Sequence, residues 1–493
     1  MGSISFQLPD SLPAGAKPAI DRARFAGGYD RTPFPTRTHV SGQQLKLTRS
    51  QCESGFVNVP WPIPEFGFPV TSTTTLRERP EPYHLLVELA RGKLNQLRNQ
   101  MYEWKLLGLI PSEAVNADLR TATASFARAV LNQRTPEADA DATACLELCY
   151  RIADAVAHEY CRAAMDTRLT RGRLPTRLSC RLSEIPSPEA KAMYQATFNA
   201  VQLVPNWAEI ESSPSNSDWS KFDAMLDWAE SNGIRTSIGP IIDLTGKMLP
   251  AWLSESKGEL PSIAAYFCDF LETIVHRYRD RVKNWTVCTG FNQCDDLELT
   301  EDDRLRLVVR LLESSRMADP DGQWTVGLSL PWGDYLEREE YTYSPLVFAD
   351  TLLRSGLPVN GFELEYFCGN DARASFLRDS IELGRLLELF GLLGVPLDVV
   401  ARHPGRSTAM ATKAGSGEMP VFSRYWKGLD TTESQNDWGS TVASIVLSTP
   451  HIRTFCWDRW QDRTNDDSLG LIDATATAKP LLESLRQLRT KYL

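Results

Sequence analysis

The stretch Asn284-Trp285-Thr286-Val287-Cys288-Thr289-Gly290-Phe291-Asn292 decides the fold of this chain. Its first six residues form a largely apolar, β-rich run led by a tryptophan, and Gly290 opens that run into a loop. A strand buried on both faces, as in a parallel sheet, has this pattern. Outward from it, over 174–493, short apolar runs alternate with amphipathic helical stretches, the βα signature of a parallel barrel. Strands are predicted at 177–182, 200–204, 235–241, 284–289, 324–330, 361–367, 396–402 and 452–457. Eight strands over about 320 residues suit a (β/α)8 TIM barrel. The clearest helix is 219–231, with Phe222, Met225 and Leu226 at helical spacing.

Two other regions precede the barrel. Residues 1–80 are rich in Pro, Gly, Thr and Ser, with short runs at 38–40, 44–48 and 55–59 that read as strands of a small β-sandwich. Its Trp61, Phe66 and Phe68 are read either as a stacking face for sugars or as core and docking residues. Over 81–173 the period changes to 3.6: Leu85, Leu86, Leu89, Leu94, Leu97 and Met101 share a face. Pro111-Ser112 ends that helix, with Ser112 placed to cap the next, which runs to about 133; a third begins after Pro136. These three helices form a layer between sandwich and barrel.

Composition narrows the function classes. A net charge of −10 without a basic run disfavours a phosphate-tracking nucleic-acid binder. The ten cysteines contain no C-x-x-C pair and read as buried free thiols; Cys145, Cys149, Cys161 and His158 do not complete a zinc spacing, so no metal is expected. No phosphate-binding or dinucleotide glycine motif occurs, so no cofactor is expected either. No apolar window is long enough to span a membrane, and Met1-Gly2-Ser3-Ile4-Ser5-Phe6 lacks the basic and apolar regions of a signal peptide; a cytoplasmic protein is expected.

Four places in 174–493 resemble family 10 glycoside hydrolases, the xylanase-like barrels. They are Asn206-Trp207-Ala208-Glu209 with Asp218-Trp219-Ser220-Lys221-Phe222-Asp223; Trp228 to Ile234 leading into Gly239-Pro240 and Leu249-Pro250-Ala251-Trp252; the Trp285 strand; and Phe455-Cys456-Trp457-Asp458 with Leu469 to Asp473 and Lys479-Pro480. The resemblance implies β-linked polysaccharide hydrolysis by two glutamates with retention of configuration. It also implies that the acid/base position at the end of strand four is Gly290 here, and that the nucleophile position on strand seven is Ala401. Pro240 and Asn206 stand where the family has a histidine and a lysine. A glycine and an alanine cannot move a proton or attack carbon, so the family's mechanism is not expected.

Other strand-end residues carry the candidate chemistry, because barrel enzymes work at the carboxyl ends of their strands. Glu365 shares its parity with Glu363 on strand six, and Leu364 and Tyr366 suit the helix side. Asp243, Asp458 and Asp462 follow strands three and eight; they are read as acids or as salt-bridge partners of Arg402, Arg459 and Arg463. Trp332, Trp457 and Trp460 are candidate sugar-stacking rings as well as mouth packing. Arg402, Asn292 and His403 complete the candidate binding set, His403 being read as acid/base or as structural. Two functions are therefore carried forward. One is a glycoside hydrolase-like protein working through a non-standard set of carboxylates; the other is a non-catalytic carbohydrate-binding or scaffold protein.

Overall fold

A computed structural model describes the chain except for residues 1, 51–53, 134, 246–247, 294–296, 338–340, 370–372, 406–425, 429–430 and 464–467. Cys52 and Cys294 lie outside the described residues; the other eight cysteines are free thiols, seven of them buried.

The barrel strands are β1 (Arg177–Leu182), β2 (Ala200–Leu203), β3 (Arg235–Ile238), β4 (Asn284–Thr289), β5 (Gln323–Ser329), β6 (Gly361–Phe367), β7 (Leu397–Arg402) and β8 (Ile452–Trp457). All neighbours are parallel, and two pairings close the ring: β8 meets β1 at Phe455–Leu178, and β3 meets β4 at Ile238–Trp285. This is a closed (β/α)8 TIM barrel. Strand three is shorter than the expected 235–241. Pro240 has no N–H for the ladder, and a Cβ at Gly239 would lie 2.2 Å from the Thr286 carbonyl oxygen. The chain pairs again at Ile242–Asp243, against Cys288 and Thr289 of β4.

The helices bury their apolar stripes against the outer face of this ring. The helix Leu260–Tyr278 does so through Ile263, Phe267, Phe270, Leu271, Ile274 and Val275. The outward side chains of the strands, such as Trp285, Leu364, Tyr366, Val399 and Phe455, join that same apolar cluster. The inward side chains are mostly polar, and they make the site.

At the N-terminus are two four-stranded sheets. One orders Arg37–Ser41, Gln44–Arg49, Gly2–Gln7 and Tyr83–His84; the other orders Thr32–Pro33, Arg24–Gly27, Phe56–Pro60 and Val70–Ser72. The helices Leu85–Leu106, Glu113–Leu131 and Pro136–Leu169 follow, and Ser112 caps the second by accepting from Val115 N. Ile4, Phe6, Phe25, Leu45, Val57 and Trp61 of the sheets share one apolar cluster with Leu85, Leu89, Leu97, Cys149 and Ile152 of the helices. The expected border at residue 80 thus falls inside a continuous core. Trp61 and Phe68 are buried, so packing rather than a sugar-stacking face accounts for them.

Buried ion pairs hold these layers to the barrel's carboxyl end. Arg24 reaches Asp334 (2.7 Å) and Glu337 (2.9 Å), Arg22 also reaches Glu337 (2.9 Å), and Arg378 meets Asp334 from the loop after β6 (2.7 Å). Lys93 pairs with Asp379. Asp334 and Glu337 after β5, and Arg378 and Asp379 after β6, are therefore tied to one another or to residues outside the barrel. Among the described residues no helix is long and apolar enough to cross a membrane.

Candidate functional site

Alternation along β6 sends Glu363, Glu365 and Phe367 into the lumen and Leu364 and Tyr366 to the helix layer. A carboxylate inside a barrel needs cations and donors. Arg181 on β1 supplies most of them. Its Nη2 donates to Glu363 Oε1 at 2.7 Å, its Nη1 to Asp458 Oδ1 at 2.8 Å, and both reach Glu365 Oε1 at 3.3 Å. The Nε bond to Gln202 Oε1 (3.0 Å) completes its fork. Glu365 Oε2 accepts from Ser329 Oγ at 2.6 Å, and Glu363 Oε2 accepts from Gln202 Nε2 at 2.6 Å and Thr286 Oγ1 at 3.3 Å. Glu365 is 0% exposed and Glu363 2%.

Asp458 lies between two guanidinium groups, with Arg402 Nη1 3.2 Å from its second oxygen. Burial alone would push its carboxyl up, but Arg402, Arg181 and Arg373 together outweigh burial and hold it well below the usual carboxylate range. In Glu363 the balance goes the other way: burial raises its pKa by more than Arg181 lowers it. Arg402 also sits 4.1 Å over the Phe367 ring. Asp243 is buried beside this set, accepting from Thr245 N (2.8 Å) and Oγ1 (2.6 Å), with Arg373 at 3.5 Å.

The structure thus brings Glu365, Asp458 and Arg402 into one network, and links Asp243 to it through Arg373. Asp462 is elsewhere. It accepts from Gly470 N at 2.7 Å and pairs with Lys479 at 2.7 Å, closing the loop after β8. Asn292 is buried and bonds both the carbonyl (2.8 Å) and the N–H (3.1 Å) of Ser329, which in turn holds Glu365. Its place is that of a positioning residue.

Three of the remaining candidates are packed away from any ligand. Trp457 is 0% exposed, donates to the Leu469 carbonyl (2.9 Å) and packs edge-on against Trp438; Trp460 is buried against Tyr194 and Phe198. His403 is fully buried: Nδ1 meets the Pro404 carbonyl at 2.8 Å, and Nε2 accepts from Trp426 N at 3.0 Å. Those partners fix a neutral tautomer, and burial lowers its pKa to about 4. Trp332 differs in being only partly buried, edge-on to Tyr366 and under the Arg378 guanidinium.

Gly290 follows β4 with φ +84°, and a Cβ there would lie 2.4 Å from Thr245 Cγ2. Ala401 pairs in register with Tyr366 and Trp457, a row that faces Trp438 on the helix Thr432–Ser448. The lumen side of β7 is carried by Val400 and Arg402 instead. Arg181, Gln202 and Ser329 were not among the expected site residues. The signal for Arg181 was a lone arginine inside the apolar run Leu178-Ser179-Cys180-Arg181-Leu182, a buried cation that requires carboxylates. No group of three or more His, Cys, Asp or Glu side chains among the described residues is placed to hold a metal ion.

Residues 178–301 match the model of glycosyl hydrolase family 10. The barrel is family 10-like. Among solved structures, native xylanase 10B from Thermotoga maritima is 14% identical, with a TM-score of 0.47 over 64% of this chain and 95% of its own. Xylanase 10B from Thermotoga petrophila RKU-1, in complex with xylobiose, is 15% identical, with a TM-score of 0.48 over 67% and 97%. Xylanase B from Clostridium stercorarium F9 is 13% identical, with a TM-score of 0.48 over 64% and 98%. No curated protein matches the chain.

Proposed function

We propose that this protein is a glycoside hydrolase-like carbohydrate binder whose barrel mouth holds an oligosaccharide without cleaving it by the family's double displacement. One observation carries the reading: Glu365 and Asp243 are buried, Asp458 is partly buried, and all three are engaged by arginines. A general acid must hold a proton, and the Arg402 and Arg181 guanidiniums beside Asp458 disfavour its protonated form. A nucleophile must be free to approach the sugar, whereas both oxygens of Glu365 and of Asp458 are already taken. On this reading Gly290 stands where the family keeps its acid/base glutamate, while Ala401, matched to the nucleophile by sequence, faces the helix layer instead of the mouth.

A second reading keeps Glu365 and Asp458 as the reacting pair. It is favoured by their shared contact with Arg181 Nη1, which leaves their nearest oxygens no more than about 6 Å apart, close to the spacing of a retaining pair. Titration calorimetry with xylohexaose, the natural first ligand given the family match at 178–301, tests the binding reading. Saturable binding is expected. An absence of binding to xylo-, cello- and manno-oligosaccharides alike would overturn it.

A further inference from the structure

At the end of the lumen opposite the mouth is a polar cavity of about 30 Å³, lined by Arg177, Ser179, Arg235, Trp285, Asp398 and Arg453. The connections at that end are all described. Since a single water needs roughly 10–15 Å³, the space suits two waters or one halide-sized ion and is too small for a sugar.

Its polar groups are unevenly matched. Arg453 is spent on Asp398, through Nε at 3.0 Å and through Nη2, which also donates to Thr325 Oγ1 at 2.8 Å. The Glu363 carboxyl, on the mouth side of the cavity, is taken up by Arg181, Gln202 and Thr286. That leaves half-buried Arg177 and exposed Arg235 as surplus positive charge, neither with a hydrogen bond or ion pair to a described residue. One buried donor is also without an oxygen or nitrogen partner: Ser179 Oγ, on an inward position of β1 and 1% exposed, has only the Cys456 thiol as its polar neighbour. Buried donors are ordinarily satisfied, and a guanidinium can be satisfied only by an acceptor.

We propose that this cavity binds a small monovalent anion of halide size, held by the Arg177 guanidinium and the Ser179 hydroxyl. Water would meet the donors but not the surplus charge; an anion meets both. The bound ion would neutralise the surplus charge at the closed end of the barrel, so its effect is on stability and not on the mouth.

The test uses the full chain in sodium chloride and in sodium gluconate at equal ionic strength, followed by thermal unfolding. A Tm higher by a few degrees in chloride is expected for the wild type, with the gap lost in Arg177→Gln and reduced in Ser179→Ala. Ser179→Ala also serves should Arg177→Gln fail to fold. Crystals grown in sodium bromide should show an anomalous peak between Arg177 and Ser179. Equal Tm values in the two salts, a gap that persists in both variants, or a cavity holding only water in bromide would each overturn the proposal.

Discussion

Arg181 and Asp458 meet at 2.8 Å inside the barrel, joining β1 to the residue that follows its neighbour β8. The same guanidinium holds Glu363 and Glu365, so one arginine serves three carboxylates. Removing one partner from a buried ionic network leaves charge uncompensated, at a cost of roughly 3–5 kcal/mol. Arg181→Met is therefore expected to lose at least that much in urea unfolding. The companion triple change of Arg181→Met, Glu363→Gln and Glu365→Gln should recover part of it. A single variant within about 1 kcal/mol of the wild type would show that the network is not needed for the fold.

Glutamates introduced at the two positions matched by sequence to the family's catalytic pair should bring no activity. At Gly290 a side chain meets Thr245 Cγ2 at 2.4 Å with φ +84°, so Gly290→Glu should cost on the order of 1–3 kcal/mol and gain no xylanase activity. Ala401→Glu drives a carboxyl into the apolar row beside Trp438 and should be worse, by roughly 4 kcal/mol or more. Circular dichroism melts decide both. A stable, active Ala401→Glu would mean that position 401 reaches the lumen.

His403 makes stability depend on pH in a known direction. Its pKa is about 4 in the folded protein and ordinarily 6.5, so above 6.5 both states are neutral and its contribution is complete. As pH falls from 6.5 towards 4 the unfolded chain takes up a proton that the folded chain refuses, and stability drops. The loss approaches roughly 3 kcal/mol at the acid end. Denaturant melts from pH 4 to 8 should show this slope, and His403→Gln should flatten it. An unchanged slope would place the acid sensitivity elsewhere.

How far the sequence speaks is clear from particular residues. The strands at 177–182, 284–289, 361–367 and 452–457 were legible to the residue, because each is an apolar run bounded by polar or glycine positions. β3 was not, since apolar character continues through Gly239-Pro240 while the ladder cannot. Parity placed Glu363 and Glu365 in the lumen but could not name their partner, because β1 and β6 are distant in sequence and meet only on closure. Depth was the other missing quantity. Nothing local separates Trp332, partly exposed, from Trp457, sealed beneath a helix. Position 401 shows a third limit: matching a residue to a motif says nothing of the face it points to, and the row Tyr366–Ala401–Trp457 points outward.

On the proposed reading the strand-end carboxylates are committed to arginines and do not cleave an oligosaccharide held at the mouth. The most direct test of that reading incubates wild type and Glu365→Gln with xylohexaose at neutral pH and follows the products by mass spectrometry. The expected result is intact hexaose with both proteins. Shorter xylo-oligosaccharides formed by the wild type and abolished in Glu365→Gln would contradict it, and would make Glu365 a catalytic residue.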